Sequence, residues 1–123
     1  MSKDNSDFEL FQKEFKRYQE LFGLSGYHVY FEYKSLGTVI ANIFVNQEDM
    51  TAIVRLNSRP SKQNKKNRDM IGGIKKCAKH EAIHLLIARL EKNGGSRFIS
   101  LPDFYEASEE LATKLENLIP DLL

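Results

Sequence analysis

The apolar residues of this chain change their spacing twice, and these changes constrain the fold more than any other feature. Over residues 7–22 they recur every three or four positions, the period of a helix with one face against a core. Over residues 27–33 they alternate with polar residues, the period of a half-buried strand. A helical pattern returns over residues 69–92. The first helical face is aromatic and consists of Phe8, Phe11, Phe15, Tyr18 and Phe22.

Local signals place the ends of these helices. Ser6, with Glu9 three residues later, has the spacing of a capping box at the start of the first helix. Gly23 stands where a glycine ends many helices. The sequence 93–95, Asn-Gly-Gly, predicts the end of the long helix.

Two further strands are expected between the first strand and the long helix, over residues 38–45 and 51–57. A polar turn separates them, and the short connections favour an antiparallel meander of three strands. Residues 58–67 include Pro60 and no large apolar residue, which predicts an exposed loop.

The C-terminal part is predicted to be irregular over residues 96–102 and helical over residues 103–118. Ser100 and Asp103 are the expected caps of this final helix, and Pro120 is its expected terminator. The order is helix, three strands, helix, helix, without internal repeats. We therefore expect a single α+β domain over residues 1–123, with an N-terminal helix, a three-stranded antiparallel sheet, a long helix and a C-terminal helix.

Composition agrees with one soluble domain, because 41% of the residues are hydrophobic and 28% are charged. No apolar run approaches the roughly 20 residues of a membrane span. The N-terminal residues lack the apolar stretch of a signal peptide. The single cysteine, Cys77, excludes an internal disulfide and a cysteine-based zinc site. These features predict a cytoplasmic protein without a membrane partner, and they leave its oligomeric state open.

The net charge of +1 conceals an asymmetry, since residues 59–79 carry +7 and the remainder carries −6. Such a segment is most often a solvated surface. The alternative is contact with an anionic partner, and nucleic acid is the partner we consider. The side chains that would make this contact are Arg59, Lys62, Lys65, Lys66 and Arg68.

The segment His80-Glu81-Ala82-Ile83-His84 lies in the middle of the predicted long helix. Residues four apart share one helical face, so both imidazoles can reach one cation with Zn–N bonds of about 2.0–2.1 Å. Glu81 is rotated by about 100° from His80 and can approach a zinc-bound water without becoming a ligand. Such a water is a nucleophile at neutral pH, and Glu81 would take its proton. The alternative is two histidines that are four residues apart by coincidence.

A catalytic zinc site needs a third protein ligand. No Cys or His follows His84, so a downstream ligand must be a carboxylate from the final helix. Glu109 lies nearest the border of that helix's apolar face and is the first choice, followed by Glu110 and then Glu106. Each of these glutamates could equally be a solvated surface residue.

With these residues in place, the chain resembles the zincin metallopeptidases, and most closely the small gluzincin-like or SprT-like members found in bacteriophages and bacteria. The motif is the pentapeptide of residues 80–84 together with Glu109, which is followed three residues later by the small residue Ala112. The resemblance implies that His80, His84 and Glu109 bind zinc and that Glu81 is the general base. Many SprT proteins have a third zinc-binding histidine and a cysteine-rich zinc ribbon. No histidine follows His84 in this chain, and its single cysteine cannot form such a ribbon.

The resemblance has further implications for the substrate. In zincins an edge strand often holds an extended peptide, and residues 51–57 are the expected edge. Tyr105 and His28 are the candidates for stabilising an oxyanion. The leading hypothesis is a zinc peptidase acting on a protein or peptide, and a related one is another metal-assisted hydrolysis. The alternative from a different class is a zinc-containing, non-catalytic module that holds nucleic acid through residues 59–79.

Overall fold

The structure, a computed structural model, describes residues 3–70, 72–95 and 101–122. Three strands and five helices lie in these ranges, which places the protein in the α+β class. Within these ranges, no helix is both long enough and apolar enough to cross a membrane. The elements in chain order are α1 (Lys3–Leu21), β1 (His28–Lys34), β2 (Ala41–Asn46), β3 (Thr51–Asn57), α2 (Lys62–Met70), α3 (Gly73–Leu86), α4 (Ala88–Gly95) and α5 (Leu101–Leu118).

Helix α1 supplies the aromatic part of the core. The side chains of Phe11 and Phe15 are fully buried, and both rings meet Phe31 of β1 edge to face. The predicted end at Gly23 is confirmed, because Gly23 has φ 73° and the N–H of Leu24 donates to the carbonyl of Gln19 at 2.9 Å. The predicted capping box is wrong, because α1 already begins at Lys3 and encloses Ser6 and Glu9.

The sheet is mixed, with strand order β1-β3-β2, and the predicted antiparallel meander is therefore wrong. Strand β3 pairs with β1 in parallel and with β2 antiparallel. The central position suits β3, because its Ala52, Val54 and Leu56 are the most deeply buried residues of the sheet. Both sides of β3 are hydrogen bonded to neighbours, so residues 51–57 are not an edge that could hold a substrate.

The basic segment is helical from Lys62 onward, so the predicted loop over residues 58–67 is wrong there. The hydroxyl of Ser61 accepts a hydrogen bond from the N–H of Asn64 at 3.1 Å and caps α2. Asn64 and Arg68, four residues apart, are the buried side chains of α2. Polar side chains therefore anchor α2, and its one large apolar residue, Met70, is 76% exposed.

The predicted long helix over residues 69–92 is also wrong, because it is broken at two places. Gly72 and Gly73 have φ of 115° and 79°, a left-handed conformation that separates α2 from α3. Ile87, with φ −98° and ψ 11°, separates α3 from α4.

Helix α5 begins at Leu101, two residues before the predicted start. Pro102 therefore lies in its first turn, where a missing N–H costs no helical hydrogen bond. Ser100 and the rest of the predicted irregular stretch, residues 96–100, lie outside the described residues. Helix α3 packs against α1, β2 and α5, which places it at the centre of the molecule.

Candidate metal centre

His80 and His84 lie on successive turns of α3 and face each other through their Nε2 atoms, which are 3.2 Å apart. Their rings meet edge to face, with centroids 4.8 Å apart and an interplanar angle of 72°. The His84 side chain is 10% exposed and that of His80 is 22% exposed. The i,i+4 spacing therefore directs two nitrogen donors to one point in a half-buried position.

Glu109 of α5 meets both of these nitrogens. One carboxylate oxygen lies 3.1 Å from Nε2 of His80, and the other lies 3.1 Å from Nε2 of His84. Glu110 instead pairs with Lys114 at 2.9 Å, and Glu106 is exposed. Of the three glutamates considered as the third ligand, Glu109 is the one that the fold brings to the histidines.

The separations between these donors fit zinc. Each of His80, His84 and Glu109 offers one atom, and these atoms all lie within 4.8 Å of one another. A tetrahedral zinc ion with bonds of about 2.0–2.1 Å would space its ligand atoms by roughly 3.3 Å. The 3.2 Å between the two Nε2 atoms is close to that spacing, and a different oxygen of Glu109 lies 3.1 Å from each of these nitrogens. Two imidazoles and one carboxylate also form a donor set that zinc accepts in catalytic sites.

Two more carboxylates hold the outer nitrogens of the histidines. An oxygen of Glu116 lies 2.8 Å from Nδ1 of His80, and an oxygen of Glu91 lies 3.2 Å from Nδ1 of His84. An Nδ1–H that donates to a carboxylate leaves the Nε2 lone pair free for a metal and fixes the ring orientation. Both glutamates therefore support the arrangement from outside the donor set.

Sequence reasoning did not assign these outer carboxylates. Glu116 follows Glu109 by seven residues, two turns along the same face of α5, and this spacing could have identified it. Glu91 follows His84 by seven residues but lies on α4, beyond the break at Ile87. The same seven-residue spacing within the predicted long helix could have identified it.

The carboxylates of the site differ in environment. Burial raises the pKa of Glu81 to about 7, against the opposing effect of both histidines. Hydrogen bonds from His80 and His84 hold the pKa of Glu109 well below its usual range. Burial alone would lower the pKa of His84, but hydrogen bonds to Glu109 and Glu91 raise it to about 10. Glu81 can thus exchange a proton near neutral pH, whereas Glu109 stays ionised.

The charge balance favours a bound cation. Glu81, Glu91, Glu109 and Glu116 surround two imidazoles, and Lys92 adds one positive charge at the rim of the same cleft. The acids outnumber the bases when both imidazoles are neutral. A divalent ion at Nε2 would compensate this excess and replace the protons of the imidazoles.

The donors open into a cleft of about 710 Å³. Strand β2 forms one wall with each residue from Ala41 to Val45, and Phe104 and Tyr105 of α5 lie on another side. Tyr105 is 60% exposed there, whereas His28 lines a separate depression beside α1. Of the two oxyanion candidates, only Tyr105 is brought to the cleft. Cys77 also lines it, but burial raises the pKa of this thiol to about 12, so it stays protonated.

Comparisons with family models, curated proteins and solved structures find no match for this chain.

The contact between Glu116 and His80 predicts a loss of metal affinity on substitution. Glu116→Ala should lower zinc affinity by roughly 10- to 100-fold, because the ring of His80 loses the partner that orients it. Competition with a chelator of known affinity measures the change. The matched control is Glu110→Ala on the same helix, which should bind zinc like the wild type. Equal affinity in both variants would show that Glu116 does not support the site.

Proposed function

We propose that this protein is a zinc-dependent hydrolase whose substrates are peptide bonds in proteins or peptides. The observation that carries the proposal is the meeting of one donor atom each from His80, His84 and Glu109 within 4.8 Å, with Glu81 lining the same open cleft. A site that only stabilised the fold would have no need for a buried carboxylate with a pKa near neutrality.

The residues divide the work of hydrolysis. His80, His84 and Glu109 would hold the zinc, while Glu116 and Glu91 orient the two imidazoles. Bound zinc would lower the pKa of a water molecule towards about 7 and so supply a nucleophile. Glu81 would take a proton from the attacking water and return it to the leaving amine. Burial supports this role, because it raises the pKa of Glu81 towards the working pH, where general acid–base catalysis is most efficient.

The cleft suits an extended peptide. Among the described residues, β2 pairs with β3 alone, and its residues Ala41 to Val45 line the cleft. A free strand edge offers backbone donors and acceptors to an extended chain, which accounts for recognition of main chain rather than of one side chain. Ile43, Val45 and Phe104 give the walls an apolar character that accepts apolar side chains. The substrate edge is thus β2 in this proposal.

Glu81→Gln tests the mechanism. The variant keeps the shape of the side chain and should bind zinc like the wild type, because Glu81 is not a ligand. Cleavage of a substrate found by screening unfolded proteins should fall by about 10²–10⁴, the usual contribution of a positioned general base. Glu110→Gln is the control and should keep full activity. Retained cleavage by a zinc-loaded Glu81→Gln variant would rule out Glu81 as the base.

A second function, contact with nucleic acid, has support from α2. Lys62, Lys65 and Lys66 are exposed, and within the described ranges none of them forms an ion pair. Arg68 was expected on the same surface, but it is buried and lies 3.7 Å from Asp7. The basic surface is therefore narrower than the sequence suggests and consists of the three lysines together with Arg59.

Salt dependence tests this second function. Binding of a fluorescent single-stranded oligonucleotide should be strongest at about 50 mM salt and fall steeply as salt is raised, because each neutralised phosphate releases counterions. Replacing Lys62, Lys65 and Lys66 together with Gln should reduce both the affinity and the salt slope. Lys114→Gln, on another exposed helix surface, is the control. Absence of binding at about 50 mM salt would rule out contact with nucleic acid through this surface.

A further inference from the structure

Lys79, the residue before His80, is buried although it carries a charge. Its side chain is 2% exposed and lies at 6.0 Å from the centroid of the Tyr18 ring of α1. A buried ammonium group is unfavourable unless it is paired and hydrogen bonded. Lys79 must therefore have specific partners, and the chemistry of the cleft does not use it.

The partners lie just beyond the end of α5. The ammonium group donates to the carbonyl of Ile119 and to the carboxylate of Asp121, the latter at 3.1 Å. Carbonyls at a helix end lack partners within the helix and carry partial negative charge, so a cation is favourable there. Leu122, next along the chain, donates its N–H to the hydroxyl of Tyr18 at 3.1 Å. Residues 119–122 are thus tied to α3 through Lys79 and to α1 through Tyr18.

These ties belong to an ordered series of contacts between α3 and α5. Lys79 contacts Ile119, His80 contacts Glu116, and His84 contacts Glu109. As the residue number increases along α3, the residue number of the partner therefore decreases. The two helices therefore lie antiparallel, with polar contacts along their length. Among the described residues of α5, only Ser108 and Ala112 are buried. Because few residues of α5 are buried, the polar contacts determine the position of α5 along α3.

We infer that Lys79 is a positioning residue for the metal site: by holding the carbonyl of Ile119, it sets how far Glu109 and Glu116 reach towards His80 and His84. This inference rests on the zinc site of the proposed function. Lys79 touches neither metal nor substrate, and it acts through the placement of α5. The last residue of α5 that contacts a histidine, Glu116, lies three residues before Ile119, so movement at that carbonyl reaches the site within one turn.

Lys79→Met removes the charge and keeps most of the side-chain volume. Zinc affinity, measured by competition with a chelator, should fall roughly tenfold, the lower end of the range for residues that support metal ligands. The visible spectrum of the cobalt-substituted protein should also change, because the carboxylate of Glu109 would no longer lie at its normal distance from the metal ion. Lys75→Met is the control, since Lys75 is exposed on the same helix. Wild-type affinity in folded Lys79→Met, or an equal loss in Lys75→Met, would overturn the inference.

A second variant covers the case in which Lys79→Met does not fold. Asp121 is 66% exposed, so its replacement is tolerated by the core, and Asp121→Lys places a like charge beside Lys79. This variant should also lose zinc affinity by roughly tenfold, because repulsion moves residues 119–122 away from α3. Unchanged affinity in folded Asp121→Lys would contradict the inference.

A double variant separates positioning from a general loss of stability. If Lys79 acts by placing Glu109, then Lys79→Met should have little further effect on zinc affinity in a Glu109→Gln background. Fully additive losses would assign Lys79 a purely structural role and overturn the inference. The two proposals fail differently: a wild-type protein that binds no zinc defeats the proposed function, whereas normal zinc binding by Lys79→Met defeats this inference alone.

Discussion

The contact between α3 and α5 is the interaction on which the rest of the site depends. Helix α3 provides two imidazoles. Among the described residues, the carboxylate of Glu109 from α5 completes a set of three donors. In the proposed function, metal binding and docking of α5 would be linked, because an ion that binds only the docked form stabilises it. In the structure, Glu109 contacts both histidines through its two carboxylate oxygens.

Four glutamates share this small region, and their surroundings assign them different tasks. Glu81 is 7% exposed, and burial raises its pKa to about 7, which fits a group that moves a proton. The Glu109 side chain is 61% exposed, and hydrogen bonds from both imidazoles keep its pKa low, which fits a ligand that stays ionised. Glu91 and Glu116 meet the outer nitrogens and orient the rings. In the proposed function, one residue type would thus serve three purposes through differences in burial and partners.

Local patterns predicted much of the site but little of the topology. The spacing of His80 and His84 on a helix, and the position of Glu109 at the border of another, depend on helical geometry alone and were readable from the sequence. The strand order could not be read from the sequence. The pairing of β1 with β3 depends on the burial of Ala52, Val54 and Leu56 by residues that are distant in the sequence. Helix α2 was missed because polar side chains anchor it, whereas Glu91 was missed although it follows His84 by seven residues.

Diffraction from crystals grown with zinc, recorded on both sides of the zinc absorption edge, would show directly whether His80, His84 and Glu109 bind zinc. The account predicts one anomalous peak per chain, about 2.0–2.2 Å from Nε2 of His80, Nε2 of His84 and one oxygen of Glu109. A fourth position should face the cleft and carry no protein ligand. Absence of a peak at these atoms, or zinc held by other residues, would contradict the account.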